Sequence, residues 1–511
     1  MIEIDGNSLT IENVVGVARH NQLVKISDSG LEAIRVSFQR VHQILHSGKP
    51  VYGINTGFGI FADQVVPGED AAKLSRNLIL SHAVGTGPVL PREIVRGAML
   101  VRANTLSKGF SGVRPEIVQT ILDMLNLDVT PVVPSQGSMG SSGDLCPLSH
   151  LALVFTTDER DAEEESGWAE FNGARMSGKQ AMEKAHLRRI ILGPKEGLAI
   201  NNGATFSAAM GALVVNDAHY LQKVASAAAA MSLEALLGCS NAYDARIHES
   251  RGQPGQISVA QEIRTLISGS TLVDATDRIQ DAYSLRCAPQ VHGAVLDSIQ
   301  YTRSVILREI NAATDNPLIF GTDESLSGGN FHGEPIGLVM DFLGISLAEL
   351  GAISERRIYR LIDGKTNVGL PPMLVDTPEA VGLNSGMMMP QYTAAALVLE
   401  NQTLASPDSV HSLPTSAGQE DHNANSMVAA RHACQIAENT ATILATELYT
   451  AARGIDLRLR DNPGARLGAG VREVYEQIRQ AVPYQPGDAL WGAEIMEIRD
   501  LVAAQLLRIP L

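Results

Sequence analysis

Apolar residues recur three or four positions apart through most of the chain. Between 28 and 47 they are Leu31, Ile34, Phe38, Val41 and Leu45, which form one face of an amphipathic helix. The same spacing predicts helices over 70–83, 92–107 and 114–127, the second opened by Pro91 and closed by Gly109. From 204 to 237 the helical pattern is unbroken and rich in alanine, and Gly238 stops it. Further long helices are predicted over 292–313, 335–362, 388–405 and 425–453, and shorter ones over 468–481 and 492–508. Strand signals are scarce. Residues 1–12 alternate about Asp5-Gly6-Asn7, which predicts a small hairpin, and the acidic stretch 158–175 reads as a surface loop or hairpin. Long, alanine-rich helices pack closely side by side. The pattern therefore predicts a mainly α chain, with an N-terminal region over 1–203 and a long-helix bundle over 204–511. Several of these helices lack a purely polar face, which fits a deep place in a bundle or burial in an oligomer.

Composition narrows the classes. The 511 residues are 45% hydrophobic and 19% charged, an ordinary globular balance, and length alone suggests two to four domains. A net charge of −16 argues against a nucleic-acid or anionic-membrane partner. The four cysteines, Cys146, Cys239, Cys287 and Cys434, lie far apart and form no CxxC pair, which suits reduced thiols in the cytoplasm. The acidic, alternating start Met1-Ile2-Glu3-Ile4-Asp5 has no signal-peptide character. Asp341 and Glu349 interrupt the apolar run 336–353, so it reads as a buried helix and not as a membrane span.

The candidate chemistry lies in Gly137-Ser138-Met139-Gly140-Ser141-Ser142-Gly143-Asp144-Leu145-Cys146-Pro147-Leu148-Ser149-His150. Small residues allow a sharp turn, and Pro147 sits where a helix start tolerates it. Gly143 has no Cβ, so its amide nitrogen could reach the carbonyl carbon of Ser141. Closure there expels one water. Loss of the Ser142 hydroxyl with its α-hydrogen expels a second and leaves a five-membered imidazolone with an exocyclic methylidene. The competing reading of Ser-Ser-Gly-Asp is a turn that feeds an N-cap.

The segment resembles the prosthetic-group segment of the aromatic amino acid ammonia-lyase and aminomutase family, and within it the histidine-acting lyases. That family has Ala-Ser-Gly where this chain has Ser141-Ser142-Gly143. The departure falls on the residue that donates only its carbonyl carbon, so a small serine should be tolerated. The resemblance covers residues 8 to 510 and implies an aspartase/fumarase-like long-helix fold. It also implies a 4-methylidene-imidazol-5-one formed autocatalytically, without metal or nucleotide, and a homotetramer with shared active sites.

Other motifs match in order, and their roles are those the resemblance implies. In Tyr52-Gly53-Ile54-Asn55-Thr56-Gly57-Phe58-Gly59, Tyr52 takes the place of the base that removes the substrate β-proton. A phenol titrates near about 10 in water, so cations or helix N-termini would have to lower it. His82, in Leu80-Ser81-His82, matches a histidine beside the substrate side chain, a partner for an imidazole. Asn202, before Gly203, falls near the prosthetic group and the substrate carboxylate. In Gln280-Asp281-Ala282-Tyr283-Ser284-Leu285-Arg286, Arg286 fits a bidentate clamp on the α-carboxylate, and Tyr283 and Gln280 face the electrophile. Asn316 and Phe331 are further substrate contacts; His332 reads as structural. Gln419-Glu420-Asp421-His422 is the histidine-type string, and Glu420 can accept from a ring N–H. A metal site at Glu420, Asp421 and His422 is the rival, but adjacent helical residues point apart. Departures from the family pattern are Gly418 before Gln419, the run Asn423-Ala424-Asn425, Ala282 and Cys146.

The implied reaction is elimination of ammonia from L-histidine to give urocanate. The alternatives are an aminomutase, a lyase acting on tyrosine or a histidine derivative, and a catalytically inactive helical scaffold.

Overall fold

The computed structural model describes residues 1–47, 50–57, 59–61, 63–67, 70–322 and 324–511. Phe58, in the Tyr52 loop, lies outside the described residues. The chain packs into two compact units, each assembled from three stretches. The first is Met1–Asn216, Arg303–Asp341 and Pro407–Arg431; the second is Asp217–Thr302, Phe342–Ser406 and His432–Leu511. The first unit thus holds more than the expected N-terminal region. Periodicity marks where helices start, not which stretches pack together.

Helices dominate both units, and the long apolar patterns fall on them: Asp28–His46, Ala71–His82, Arg92–Ser107, Pro115–Asn126, Thr205–Ala235, Glu334–Ile362 and Met388–Leu404. Among the described residues the strands are two to four residues long. The acidic stretch contains the hairpin Trp168–Phe171 with Ala174–Ser177. The hairpin expected over 1–12 does not form. Ile2–Ile4 pairs in parallel with Val24–Ile26, and Ile11–His20 is a helix. Thr10 caps that helix: its side chain accepts from the amide of Asn13, whose own side chain reaches back to the cap. Ile11, Val14, Val17 and Ala18 then bury one face.

In the first unit the helix Arg92–Ser107 is buried along almost its whole length. Its Arg96 guanidinium donates to the carbonyls of Val17 and Leu125, near the C-terminal ends of two neighbouring helices, where a cation is favoured. In the second unit Gly344 and Gly351 face Ile436 and Ile443. A Cβ on either glycine would meet the isoleucine Cδ1 at 3.2 and 3.1 Å, so two long helices approach closely there. The expected helix end at 453 is overrun, and Ser426–Asp461 continues through Gly454. That glycine makes room for Ala235, whose Cβ would lie 3.1 Å from a Cβ at 454. Glu334–Ile362 is long and apolar enough to cross a membrane, but 67% of its most apolar window is buried within the fold.

Arg357 and Glu447 form an ion pair in the second unit, both fully buried. Ser232 and Ser354 each add a hydroxyl to the same carboxylate, so its oxygens are satisfied. Breaking such a pair strands the remaining charge. Arg357→Leu is expected to cost about 3–5 kcal/mol, seen as a lower midpoint in urea unfolding followed by circular dichroism.

Candidate active site

Ser141, Ser142 and Gly143 are held by backbone contact with Asn202-Gly203. Gly143 and Gly203 form a parallel bridge. Asp144 N donates to Gly203 O at 2.8 Å, and Gly203 N donates to Ser142 O at 3.4 Å. A Cβ on Gly143 would sit 2.1 Å from Gly203 N, and φ there is +81°, so only glycine fits. The side chain of Asn202 donates to Ser142 O at 2.7 Å. Its own Oδ1 is buried without a partner. Arg102, wholly buried, donates to the backbone carbonyl of Asn202 and to Thr205 Oγ1.

The turn-and-cap reading of Ser-Ser-Gly-Asp holds in a modified form. The helix Leu145–Phe155 starts directly after Asp144, but the Asp144 side chain does not cap it. Its carboxylate instead accepts from the Ser207 amide at 2.8 Å, in the first turn of Thr205–Ala235, and from the hydroxyls of Ser138 and Ser207. Two helix N-termini therefore begin beside the Ser142 carbonyl, a region of positive backbone potential. Burial raises Asp144 above the usual carboxylate range against those donors.

Ser141 and Ser142 line a cavity of about 1250 Å³ within the first unit. Tyr52, His82, Asn202, Asn316, Phe331 and Glu420 line it too, although the sequence spreads them over almost 370 positions. Tyr52 Oη lies 3.5 Å from Gly59 N. Burial raises its phenol above the ordinary value, and the Glu420 carboxylate adds to the rise. The lowering that a base would need is not supplied by these neighbours.

His82 ends the helix Ala71–His82. Its Nδ1 lies 2.8 Å from Leu78 O. A carbonyl only accepts, so Nδ1 carries the proton and Nε2 is left as an acceptor. Burial pulls His82 below its ordinary value, which keeps the ring neutral. Glu420 accepts from Ser142 Oγ at 2.8 Å through Oε1 and from Thr415 Oγ1 at 3.2 Å through Oε2. The Asn316 side chain accepts from Gly328 N at 2.7 Å, which ties the glycine-rich loop to the cavity wall.

His332 also lines the cavity, a place the sequence did not assign it. Its Nε2 lies 3.1 Å from His422 O, and the two imidazoles are stacked with centroids 6.0 Å apart. Among the described residues no cluster of His, Cys, Asp and Glu is arranged to hold a metal ion.

Gln280, Tyr283 and Arg286 lie in the second unit and are not part of this cavity wall. Tyr283 is 70% exposed. The Arg286 guanidinium stacks 4.6 Å from the Tyr283 ring centroid, and its Nε is buried without a partner.

A family model for aromatic amino acid lyases matches residues 9–480. The chain belongs to the aromatic amino acid lyase family. It is 49% identical to a histidine ammonia-lyase of Caldanaerobacter subterraneus subsp. tengcongensis, over 94% of this chain and 92% of that one. Among solved structures, histidine ammonia-lyase from Trypanosoma cruzi superposes with a TM-score of 0.90 at 37% identity, covering 99% of this chain and 94% of that one. Tyrosine aminomutase from Streptomyces globisporus gives a TM-score of 0.91 at 33% identity, covering 99% and 97%. The expected family and mainly helical fold are thus established.

The residues present fit the ring that family membership implies. The close approach at Gly143 forbids any side chain where the attacking amide must sit. Asn202 and the Gly203 amide address the Ser142 carbonyl, and the orphaned Asn202 Oδ1 is free to accept from a bound group. Gly143→Ala is expected to leave the chain at its encoded mass, read by intact-protein mass spectrometry. A loss of two waters in that variant would contradict the steric argument.

Proposed function

We propose that the chain eliminates ammonia from L-histidine, giving urocanate, by way of a 4-methylidene-imidazol-5-one formed from Ser141, Ser142 and Gly143. The observation that carries the reading is the pairing, in one cavity, of the pinned Ser142 with two ring-side acceptors, His82 and Glu420. When formed, the group supplies an electrophilic carbon for the substrate amine, which makes nitrogen a better leaving group.

The side chains divide the remaining work. Tyr52 takes the β-proton. Asn202 and the Gly203 amide donate to the Ser142 carbonyl, where electron density rises, and the two helix N-termini add to that field. His82 and Glu420 accept from the substrate ring. Asn316 and Phe331 shape the wall beside it. Arg286, whose Nε is buried without a partner among the described residues, suits a bidentate hold on the α-carboxylate. Such a hold orients the β-carbon toward the base.

Arg286, Tyr283 and Gln280 reach the substrate in this reading by way of a homotetramer with active sites shared between subunits. The exposure of Tyr283 and the unpartnered Nε of Arg286 support it. A cation brought in this way also offsets the burial and the Glu420 charge that hold Tyr52 high. No disulfide joins Cys146, Cys239, Cys287 or Cys434, which suits a reducing, cytoplasmic compartment.

A second reading, an aminomutase on the same frame, is favoured by the likeness to tyrosine aminomutase. Incubation with L-histidine, L-tyrosine and L-phenylalanine separately, following ammonia and the unsaturated acid, decides between them. Ammonia and urocanate from L-histidine alone are expected, with the chain lighter than its encoded mass by two waters. A β-amino acid product identifies the mutase, and an unmodified, inert chain identifies a scaffold.

The polar pair also sets the choice of ring. His82→Leu and Glu420→Ala are each expected to raise KM for L-histidine by about tenfold or more, and to narrow its advantage over L-phenylalanine. Steady-state kinetics on both substrates checks this.

A further inference from the structure

Three departures from the family pattern, Ser141, Asn423 and Asn425, meet in one hydrogen-bonded device. Ser141 Oγ donates to Asn423 Oδ1, and both residues are buried, 7% and 0% exposed. Asn423 then spends its remaining groups on the loop that precedes it. Its side-chain amide donates to Leu413 O, and its backbone amide donates to Ser412 Oγ at 2.7 Å. Asn425 works in parallel: in the left-handed conformation, with φ 51°, it donates to Asp408 O at 3.1 Å and to His411 O. The two ends of the loop 408–425 are thereby stitched together, and Glu420 lies between them, paired with Thr415.

The stitching is anchored in the prosthetic segment by the Ser141 hydroxyl, next to the Ser142–Glu420 hydrogen bond that loss of the Ser142 hydroxyl would remove. Alanine at 141 would leave Asn423 Oδ1 buried without a donor, which disfavours the closed loop. The neighbouring residue, Ser142, is the one whose hydroxyl Glu420 accepts. We propose that Ser141 and Asn423 form a tether that holds the 408–425 loop against the prosthetic segment and so sets the Glu420 carboxylate for the substrate ring. Ser141 acts here through its side chain, apart from the backbone carbonyl that ring formation uses. Both are positioning residues, since each acts on the substrate ring through Glu420. The substrate half of the inference rests on the histidine reading above; the tether itself does not.

The test compares Ser141→Ala, Asn423→Ala and the double variant with the unaltered chain, by hydrogen–deuterium exchange over 408–425 and by steady-state kinetics. Each single variant is expected to speed exchange of the loop by about three- to tenfold, the weight of one hydrogen bond, and the double to be no faster than the quicker single. KM for L-histidine should rise by a similar factor in each, and in Asn423→Ala kcat should stay within about twofold. Ser141→Thr, which keeps the hydroxyl, restores both readouts. In a Glu420→Ala background, Ser141→Ala should add nothing to KM. Exchange unchanged in both singles, effects that multiply in the double, or faster exchange with KM unmoved would each overturn the proposal. Should the unaltered chain release no ammonia from L-histidine, the functional reading fails, and the exchange comparison still decides whether the tether exists.

Discussion

The contact between Gly143 and Gly203 governs the rest of the site. Two backbones meet where a methyl group on either would collide: with Gly203 N at 2.1 Å in one direction and with Thr314 Oγ1 at 2.5 Å in the other. That approach brings together the starts of two helices that are distant in sequence. Asp144 fixes them in place, following Gly143 on one side and accepting from the Ser207 amide on the other. A buried carboxylate is costly unless its lone pairs are filled, and here three donors fill them. The Ser142 carbonyl is left between the Asn202 side chain and the Gly203 amide as a consequence of this packing.

Charge around that carbonyl is arranged in one sense. Two helix N-termini and the buried guanidinium of Arg102 all place positive potential beside it. Burial pulls Arg102 down to about 10, which still leaves it charged at neutral pH. Lys195 and Asp315 pair nearby without exposure, so they add little net field. At the Ser142 side chain the sign reverses. Glu420 supplies negative charge beside Tyr52 and His82, but burial outweighs its pull on the imidazole, and His82 stays neutral. Positive potential thus addresses the Ser142 carbonyl, while the acceptors His82 and Glu420 line the cavity.

Local physics was legible in the sequence, and long-range closure was not. Helices with an unbroken apolar stripe, such as Asp28–His46 and Thr205–Ala235, follow from spacing alone. The misread stretches are those where one residue type serves two purposes. Alternation in 1–12 suggested a hairpin, yet Asn13 completes a cap and starts a helix. The helix expected to end at 453 runs on through Gly454, which is a packing notch. Ser141 and Asn423, 282 positions apart, looked like two unrelated departures and are hydrogen-bond partners. His332 sits in a turn whose sequence gives no sign of the cavity wall it lines. Periodicity along the chain could not have placed it there.

In the proposed reading, maturation and recognition would be coupled at Glu420. In the open chain its Oε1 accepts from the Ser142 hydroxyl, so the carboxylate is satisfied. Ring formation would expel that hydroxyl as water and leave Oε1 without its donor, at the edge of the cavity. His82 has already committed Nδ1 to Leu78 O, so its Nε2 is a second open acceptor. Two acceptors call for a ring that carries N–H donors at both ends, which an imidazolium has. A phenol brings one O–H and a phenyl ring none. An apolar ring would leave both acceptors unpaired, at about 1–3 kcal/mol each. The loss of water that creates the electrophile would therefore also sharpen the preference for an imidazolium, because the same hydroxyl serves both.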